Sequence, residues 1–380
     1  MEDIQSTSGV RTWIEIDTHA IKNNVTEFKK LIAPAVKFCA VVKSNAYGHG
    51  LVDFSKVVAD AGADWLAVDS LVEGLRLRKE GITKPILVLG YTLPELIEKA
   101  FDADISITLS HLEYFSYVNT LSEGKKIKAH IKIDSGMHRQ GFLEGEIGGV
   151  TELLKKHSDK IDVEGIYTHF AAAKNPAFPQ TAREQISIFN KCVETIKRGG
   201  FSPLVHASAT SGTILFPEAH YDMVRIGIGL YGLWPSIETK AFAEQKIKLL
   251  SVMTWKTVVG EVKKLPQGER VGYDFTEELS RDSVVAICPI GYWHGFPRAL
   301  SAIGRVLVGG VQCKVLGRVA MDMIIIDITD VNDPVVGAEA VVIGGQGNEY
   351  IGAEDIARLS DASWYEIITR INPLIRKIYK

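Results

Sequence analysis

The sequence predicts an α/β fold: a (β/α)₈ TIM-like barrel followed by a mainly β C-terminal domain. Three observations carry this. Eight short apolar, β-rich runs recur between about residues 37 and 235, with stretches of helical period between them. After about residue 245 strand-like runs follow one another directly, separated by Gly-, Asn- or Pro-bearing turns. The 380 residues are too many for one ordinary domain and suit a large one plus a smaller one.

Taken in order, the first ten residues, "MEDIQSTSGV", lack both a basic start and an apolar core, so no secretory leader is expected. "TWIEID" (12–17) alternates like a strand and is expected to pair with the β domain before the barrel begins. The eight barrel runs are "KFCAVVK" (37–43), "WLAVDS" (65–70), "PILVLG" (85–90), "ISITLS" (105–110), "IKAHIKID" (127–134), "VEGIYTHF" (163–170), "LVHASAT" (204–210) and "MVRIGIG" (223–229). Between the first two, Leu51, Phe54, Val58 and Ala61 share one helical face, and between the sixth and seventh Ile186, Phe189, Val193 and Ile196 do the same. Neither GxGxxG nor GxxxxGK[ST] follows a strand, which excludes the dinucleotide-binding and P-loop readings of a doubly wound sheet. The expected domains are therefore 1–245 and 246–380. In the second, "SVMTWKTVVGEV", "DSVVAICPIGY", "GRVLVGG", "CKVLGRV", "MIIIDI" and "EAVVIGG" read as strands, and helical period returns only at "AEDIARL" (353–359).

Composition narrows the function classes. A net charge of −3 without a dense Lys/Arg cluster removes the electrostatic footprint of nucleic-acid binding. No apolar run reaches the roughly 18–20 residues of a membrane span, and a cytoplasmic protein is expected. Cys39, Cys192, Cys288 and Cys313 have neither CxxC nor Cys/His ligand spacing, so a disulfide framework or metal site is not expected.

Barrel chemistry gathers at the C-terminal ends of the strands. Here the strand ends carry Lys43, then Lys132 to Asp134, then His169, then "SATSG" (208–212), then Arg225 followed by "GIG". Taken singly, each has a plain reading: a solvated strand end, a hydrogen-bonded core histidine, a helix cap, a structural ion pair. Together they select a cofactor. Ser208, Thr210, Ser211 and Gly212 offer hydroxyls and amides, Gly227 and Gly229 permit close backbone approach, and Tyr47 offers a phenol, which together suit a phosphate. A lysine facing such a cradle suits pyridoxal 5′-phosphate held as a Schiff base, with Arg225 at the pyridine nitrogen and His169 on the ring. Desolvation of Lys43 is expected to favour its reactive amine.

From "TWIEID" to "WYEIITRI" the chain resembles the alanine racemases, pyridoxal-phosphate enzymes built of a barrel and a β domain; "VVKSNAYGHG" is the most specific of the shared motifs. The resemblance implies that Lys43 holds the cofactor, that Tyr47 touches its phosphate, and that the amides of Gly227 and Ile228 do so too. "HIKIDSGMHRQG" implies a lysine open to carbamylation at Lys132 and a substrate-carboxylate arginine at Arg139. "ERVGYDF" places the second catalytic base on Tyr273, "PIGYWHG" an entrance residue at Tyr292, and "GRVAMDM" a substrate-contacting backbone amide at Met321. A homodimer with composite sites is implied, as is supply of D-alanine for peptidoglycan. Departures lie at Ala209-Thr210, where the family usually has Asn-Ser, at Trp293 and His294, and at His138 and Gln140, where "MHRQG" replaces "MGRLG". The "INPLIR" ending also lacks the usual arginine–valine–proline. None removes a catalytic group; they bear on which amino acid is preferred.

The implied chemistry is racemisation by two bases, Lys43 and Tyr273, on opposite faces of Cα. A racemase for serine or a broader range is the nearest alternative. A pyridoxal-phosphate decarboxylase of the same fold would want an acidic partner at the ring nitrogen, and a non-catalytic carrier would not need a second domain bearing Tyr273.

Overall fold

Strands covered on both faces read as unbroken apolar runs, and the eight runs above are such strands. In the computed structural model, which describes residues 9–380, the segment read for a leader lies mostly outside the described part. A first strand, β1 (Thr12–Ile16), precedes the barrel strands β2 (Lys37–Val41), β3 (Trp65–Val68), β4 (Ile86–Val88), β5 (Ile107–Leu109), β6 (Ile127–Lys132), β7 (Ile161–Tyr167), β8 (Leu204–His206) and β9 (Met223–Ile226). The barrel order is β4-β3-β2-β9-β8-β7-β6-β5 with every pairing parallel. The two ends of that order meet in a single bridge, Leu87 opposite Ser106, with the Val88 amide donating to the Ser106 carbonyl at 2.9 Å.

Helices alternate with these strands. Residues Ile186, Phe189, Val193 and Ile196 are buried along the helix Gln180–Arg198. Leu51, Phe54 and Val58 are buried along Leu51–Asp60, but Ala61 is not part of that helix. Gly62, at φ +102°, ends it by taking the left-handed position that follows a helix C-terminus.

The chain divides into two compact units, one of Ala20–Ala46 and Leu51–Leu250, the other of the chain up to His19, Tyr47–Gly50 and Ser251–Lys380. The first holds the barrel. In the second, β1 lies inside a ten-stranded sheet, antiparallel to Met253–Val258 and parallel to Arg376–Tyr379. Strand Met253–Val258 buries every other residue, and Trp255 stands opposite Ile14. Several short elements escape the sequence reading, among them the last strand and the helix before it. The strand Arg376–Tyr379 is short and partly charged, and the helix Trp364–Thr369, capped by the Ser363 hydroxyl, is too short to show a period. Among the described residues no helix is long and apolar enough to cross a membrane.

Barrel interiors of this kind are ordinarily filled by branched aliphatic side chains. This one is not. His130, Lys132, Tyr167, His206 and Arg225 are all buried, on β6, β7, β8 and β9.

Candidate active site

Lys43 stands two residues past β2 and opens a turn of an uncommon kind. Ser44, Asn45, Ala46 and Tyr47 all have positive φ, between 50° and 56°. Left-handed helix costs roughly 1–2 kcal/mol per non-glycine residue, so the turn must be held from outside. The Ala46 amide donates to the Val42 carbonyl at 2.8 Å, and the Leu51 amide to Asn45 Oδ1 at 2.9 Å. The Glu73 carboxylate accepts from the Asn45 amide at 3.1 Å and from the Asp69 amide at 3.0 Å. Strain that surroundings over-determine in this way is typical of functional sites.

The structure corrects one expectation about lysine. Lys43 is not dry: its side chain is 37% exposed and its Nζ lies 3.2 Å from Asp69 Oδ1. Placing it beyond the strand end leaves one side open. The dry lysine is Lys132, at the end of β6, whose Nζ donates to the Ile133 carbonyl at 3.1 Å and sits 5.0 Å from the Tyr167 ring centre. Burial, aided by the charge of Arg225, brings its ammonium down to about 7.

Arg225 is buried on β9, next to β2 in the barrel, with Cys39 as its register partner. Its guanidinium donates to the Thr168 and Ala207 carbonyls at 2.7 and 2.9 Å and to His206 Nδ1 at 2.7 Å. Burial lowers it to about 10, which leaves it charged at neutral pH. His169 follows β7. Burial, and then the charges of Arg225 and Lys132, hold its imidazole well below the usual histidine range, so the ring is neutral.

Between β8, β9 and the turns after them lies a backbone cradle. Thr210 Oγ1 accepts from the Gly227 and Gly229 amides at 3.2 and 3.4 Å. The Ile228 amide opens a 3₁₀ turn, Ile228–Tyr231, and has no acceptor within it. A Cβ on Gly229 would come 2.4 Å from the Phe28 ring, so only glycine fits there. Ser208 donates its hydroxyl proton to the Ala219 carbonyl at 2.8 Å and so props the turn; that proton is not free for a phosphate. Arg139 is exposed. The loop that presents it is gathered by Asp134, whose carboxylate accepts from the amides of Gly136, Met137, His138 and Arg139.

In the second unit, Tyr273, Tyr292 and Met321 lie on segments that bind one another. The Tyr292 and Trp293 amides donate to the Ala320 and Met321 carbonyls at 3.0 and 2.9 Å. Asp274, next to Tyr273, pairs with Arg318 at 3.1 Å. All three side chains are exposed, Tyr273 at 68%. Tyr47 belongs to this unit by its packing, its ring 6.4 Å from that of Tyr365.

Sequence reasoning missed Asp69, Glu73, His130, Glu164 and His206. One signal was available for His130: it shares a face of β6 with Lys132 by strand alternation. Glu73 had none, since an acidic residue in a first helical turn is ordinary.

A parallel barrel with a lysine, a buried arginine and an amide cradle at its carboxyl rim, followed by a β unit, defines a barrel enzyme whose reactive groups are amines and hydrogen-bond donors. The family descriptions "Alanine racemase, N-terminal domain" and "Alanine racemase, C-terminal domain" match residues 16–235 and 252–379. The chain is 40% identical to the alanine racemase of Methanococcus maripaludis over 97% of its own length and 98% of that protein's. It is 38% identical to that of Symbiobacterium thermophilum, with 97% of each covered. The crystal structure of the Bacillus anthracis alanine racemase with bound L-Ala-P superposes with a TM-score of 0.92 at 36% identity, covering 97% of this chain and 95% of that one. The chain belongs to the alanine racemase family and is an isomerase.

Proposed function

We propose that the protein interconverts L- and D-alanine with pyridoxal 5′-phosphate, as a homodimer in which the partner subunit's Tyr273 completes each site. One observation carries the reading: neighbouring strands bring a lysine, a buried arginine and an anion cradle to the same rim. The residues fit the cofactor. Lys43 would hold its aldehyde carbon, and Thr210, Gly227 and Ile228, with Tyr47, its phosphate. His169, neutral and without a protein hydrogen bond to its ring among the described residues, suits the ring face. Arg225, charged and an obligate donor, suits the pyridine nitrogen. When bound, the cofactor draws electron density from the substrate's Cα.

Lys43 Nζ would then move the Cα proton on one face and Tyr273 Oη on the other. Arg225 would donate a hydrogen bond without giving up its proton, which restrains reactions that need a protonated ring. Arg139 would hold the substrate carboxylate; the family resemblance gives the Met321 amide a substrate contact and Tyr292 a place at the entrance. Lys132, neutral for a large fraction of the time at pH 7, is suited to add to CO₂ with loss of one proton, giving a carbamate beside Arg139. Exposure of Tyr273, Phe275, Trp293 and Met321 supports the dimer, because so many large apolar groups on one unit call for a cover.

The test is a chiral assay of purified protein on L-alanine and L-serine. L-alanine should run to an equal mixture of enantiomers faster than L-serine does. Lys43→Ala should abolish this and lose all borohydride-reducible cofactor. Reducible cofactor on that variant, or preference for serine, would overturn the respective part.

A further inference from the structure

A chain of three hydrogen bonds runs through the barrel interior away from the rim. Arg225 donates to His206 Nδ1 at 2.7 Å, His206 Nε2 lies 2.8 Å from His130 Nδ1, and His130 Nε2 lies 3.3 Å from Glu164 Oε2. Both ends fix its direction. A guanidinium can only donate and a carboxylate can only accept. His206 must therefore carry its proton on Nε2 and pass it toward His130, which must carry its own on Nε2 toward Glu164.

The backbone is shaped for this chain. The β6–β7 register shifts at His130: Val163 faces Ala129 and Gly165 faces His130, leaving Glu164 as the extra residue of a bulge. A Cβ on Gly165 would come 2.2 Å from His130 Nδ1, so the His130 ring occupies the space a side chain there would fill. The Tyr167 ring stacks on His206 at 4.8 Å and 4°, and Trp65 meets His130 edge-on at 5.3 Å. Ser106 donates to the same Glu164 oxygen.

Charge gives the arrangement a purpose. Arg225 is buried, and its hydrogen-bond partners among the described residues are two carbonyls and an imidazole, none of them an anion. Burial holds both imidazoles below the usual histidine range, His206 the further, so neither competes as a cation. For Glu164, burial alone would raise the carboxyl, but hydrogen bonds from His130 and Ser106 outweigh it and hold it low. The nearest carboxylate along the chain of hydrogen bonds from Arg225 is thus at the far end of two neutral rings.

We propose that Glu164 is a positioning residue for Arg225, acting through His130 and His206 to fix the guanidinium in place with one orientation of protons. Hydrogen bonds in such a chain polarise one another, so the carboxylate is felt at the arginine without touching it. This rests on the reading that Arg225 faces the cofactor's ring nitrogen, and extends that role to a residue remote from the rim.

The first measurement needs no cofactor. With ¹⁵N-labelled histidine in the cofactor-free protein at neutral pH, His206 and His130 should both show the neutral Nε2–H form. An Nδ1–H or doubly protonated His206 overturns the proposal outright. In Glu164→Leu and in Gly165→Ala, which breaks the middle link, the single tautomer should give way to a mixture. In the loaded enzyme both variants should lose about 10-fold in kcat, in the range typical of outer partners of a site residue, with KM within about two-fold and an altered pH dependence of the cofactor's visible band. Wild-type tautomers and kcat in a folded Glu164→Leu or Gly165→Ala protein overturn the proposal. Wild-type kcat in Arg225→Ala overturns instead the reading of Arg225 on which it rests.

Discussion

The barrel interior and the ten-stranded sheet bury their side chains on opposite terms. The sheet hides Trp255, Ile14, Val341 and Val285 and gains from removing apolar area from water. The barrel hides His130, Lys132, His206 and Arg225, groups that resist burial unless each finds a partner. The sheet is thus a region optimised to hold together. The barrel interior gives up some of that stability to hold charged groups where the surroundings decide their protonation. Stability and reactivity are divided between regions, and substitutions should separate them.

The largest effect should leave both interiors untouched. Tyr273→Phe should lower racemisation by roughly 10²–10⁴, the usual contribution of a positioned acid–base group, while its 68% exposure keeps stability within about 0.5 kcal/mol. Steady-state rates and thermal melts check both halves. Mixing inactive Lys43→Ala and Tyr273→Phe chains should restore part of the activity if the sites are composite, and none if each chain is self-sufficient.

Trp255→Ala probes the sheet. It empties the space of a fully buried indole and should cost about 3–5 kcal/mol, read by denaturant unfolding. The cofactor spectrum of the folded fraction should be unaltered.

Lys132→Met probes the barrel in the opposite sense. The folded pKa of Lys132, about 7, lies below its unfolded value near 10.4, so between these the unfolded chain binds more protons. Stability should therefore rise with pH across that window, by up to about 1.4 kcal/mol per pH unit, and the penalty should be fully present below pH 7. The variant should lose this slope and be more stable than the parent at neutral pH in CO₂-free buffer, at the expense of activity. An unchanged slope would show that Lys132 does not titrate there, as carbamylation in the parent would also ensure; a ¹³C-bicarbonate NMR signal lost in the variant separates those two outcomes.

His138→Gly should give the smallest effect. His138 sits at φ +55° in the loop gathered by Asp134, where a glycine adopts that backbone freely. Replacement should stabilise by about 1 kcal/mol, with the Asp134 contacts kept. A loss of stability in unfolding measurements would show that the imidazole, 4.0 Å from Asp134 Oδ1, contributes more than the strain removes.

What the amino-acid order determined alone is whatever depends on short-range period. The eight parallel strands were legible because both their faces are apolar, and the strand that buries Trp255 was legible as part of the strand-like run "SVMTWKTVVGEV". The rim residues Lys43, Lys132, His169 and Arg225 were legible because strand ends converge in a barrel. Tertiary structure decided what each of these groups experiences. That Lys132 and not Lys43 is the dry lysine follows from where each strand stops relative to its neighbours, a matter of one or two residues that sequence patterns do not resolve. That Glu164 can reach Arg225 follows from a one-residue bulge in β7 and a glycine that admits an imidazole. Contacts between residues 76 positions apart have no local signature, because nothing in the chain near His206 requires His130 to be there until the barrel closes.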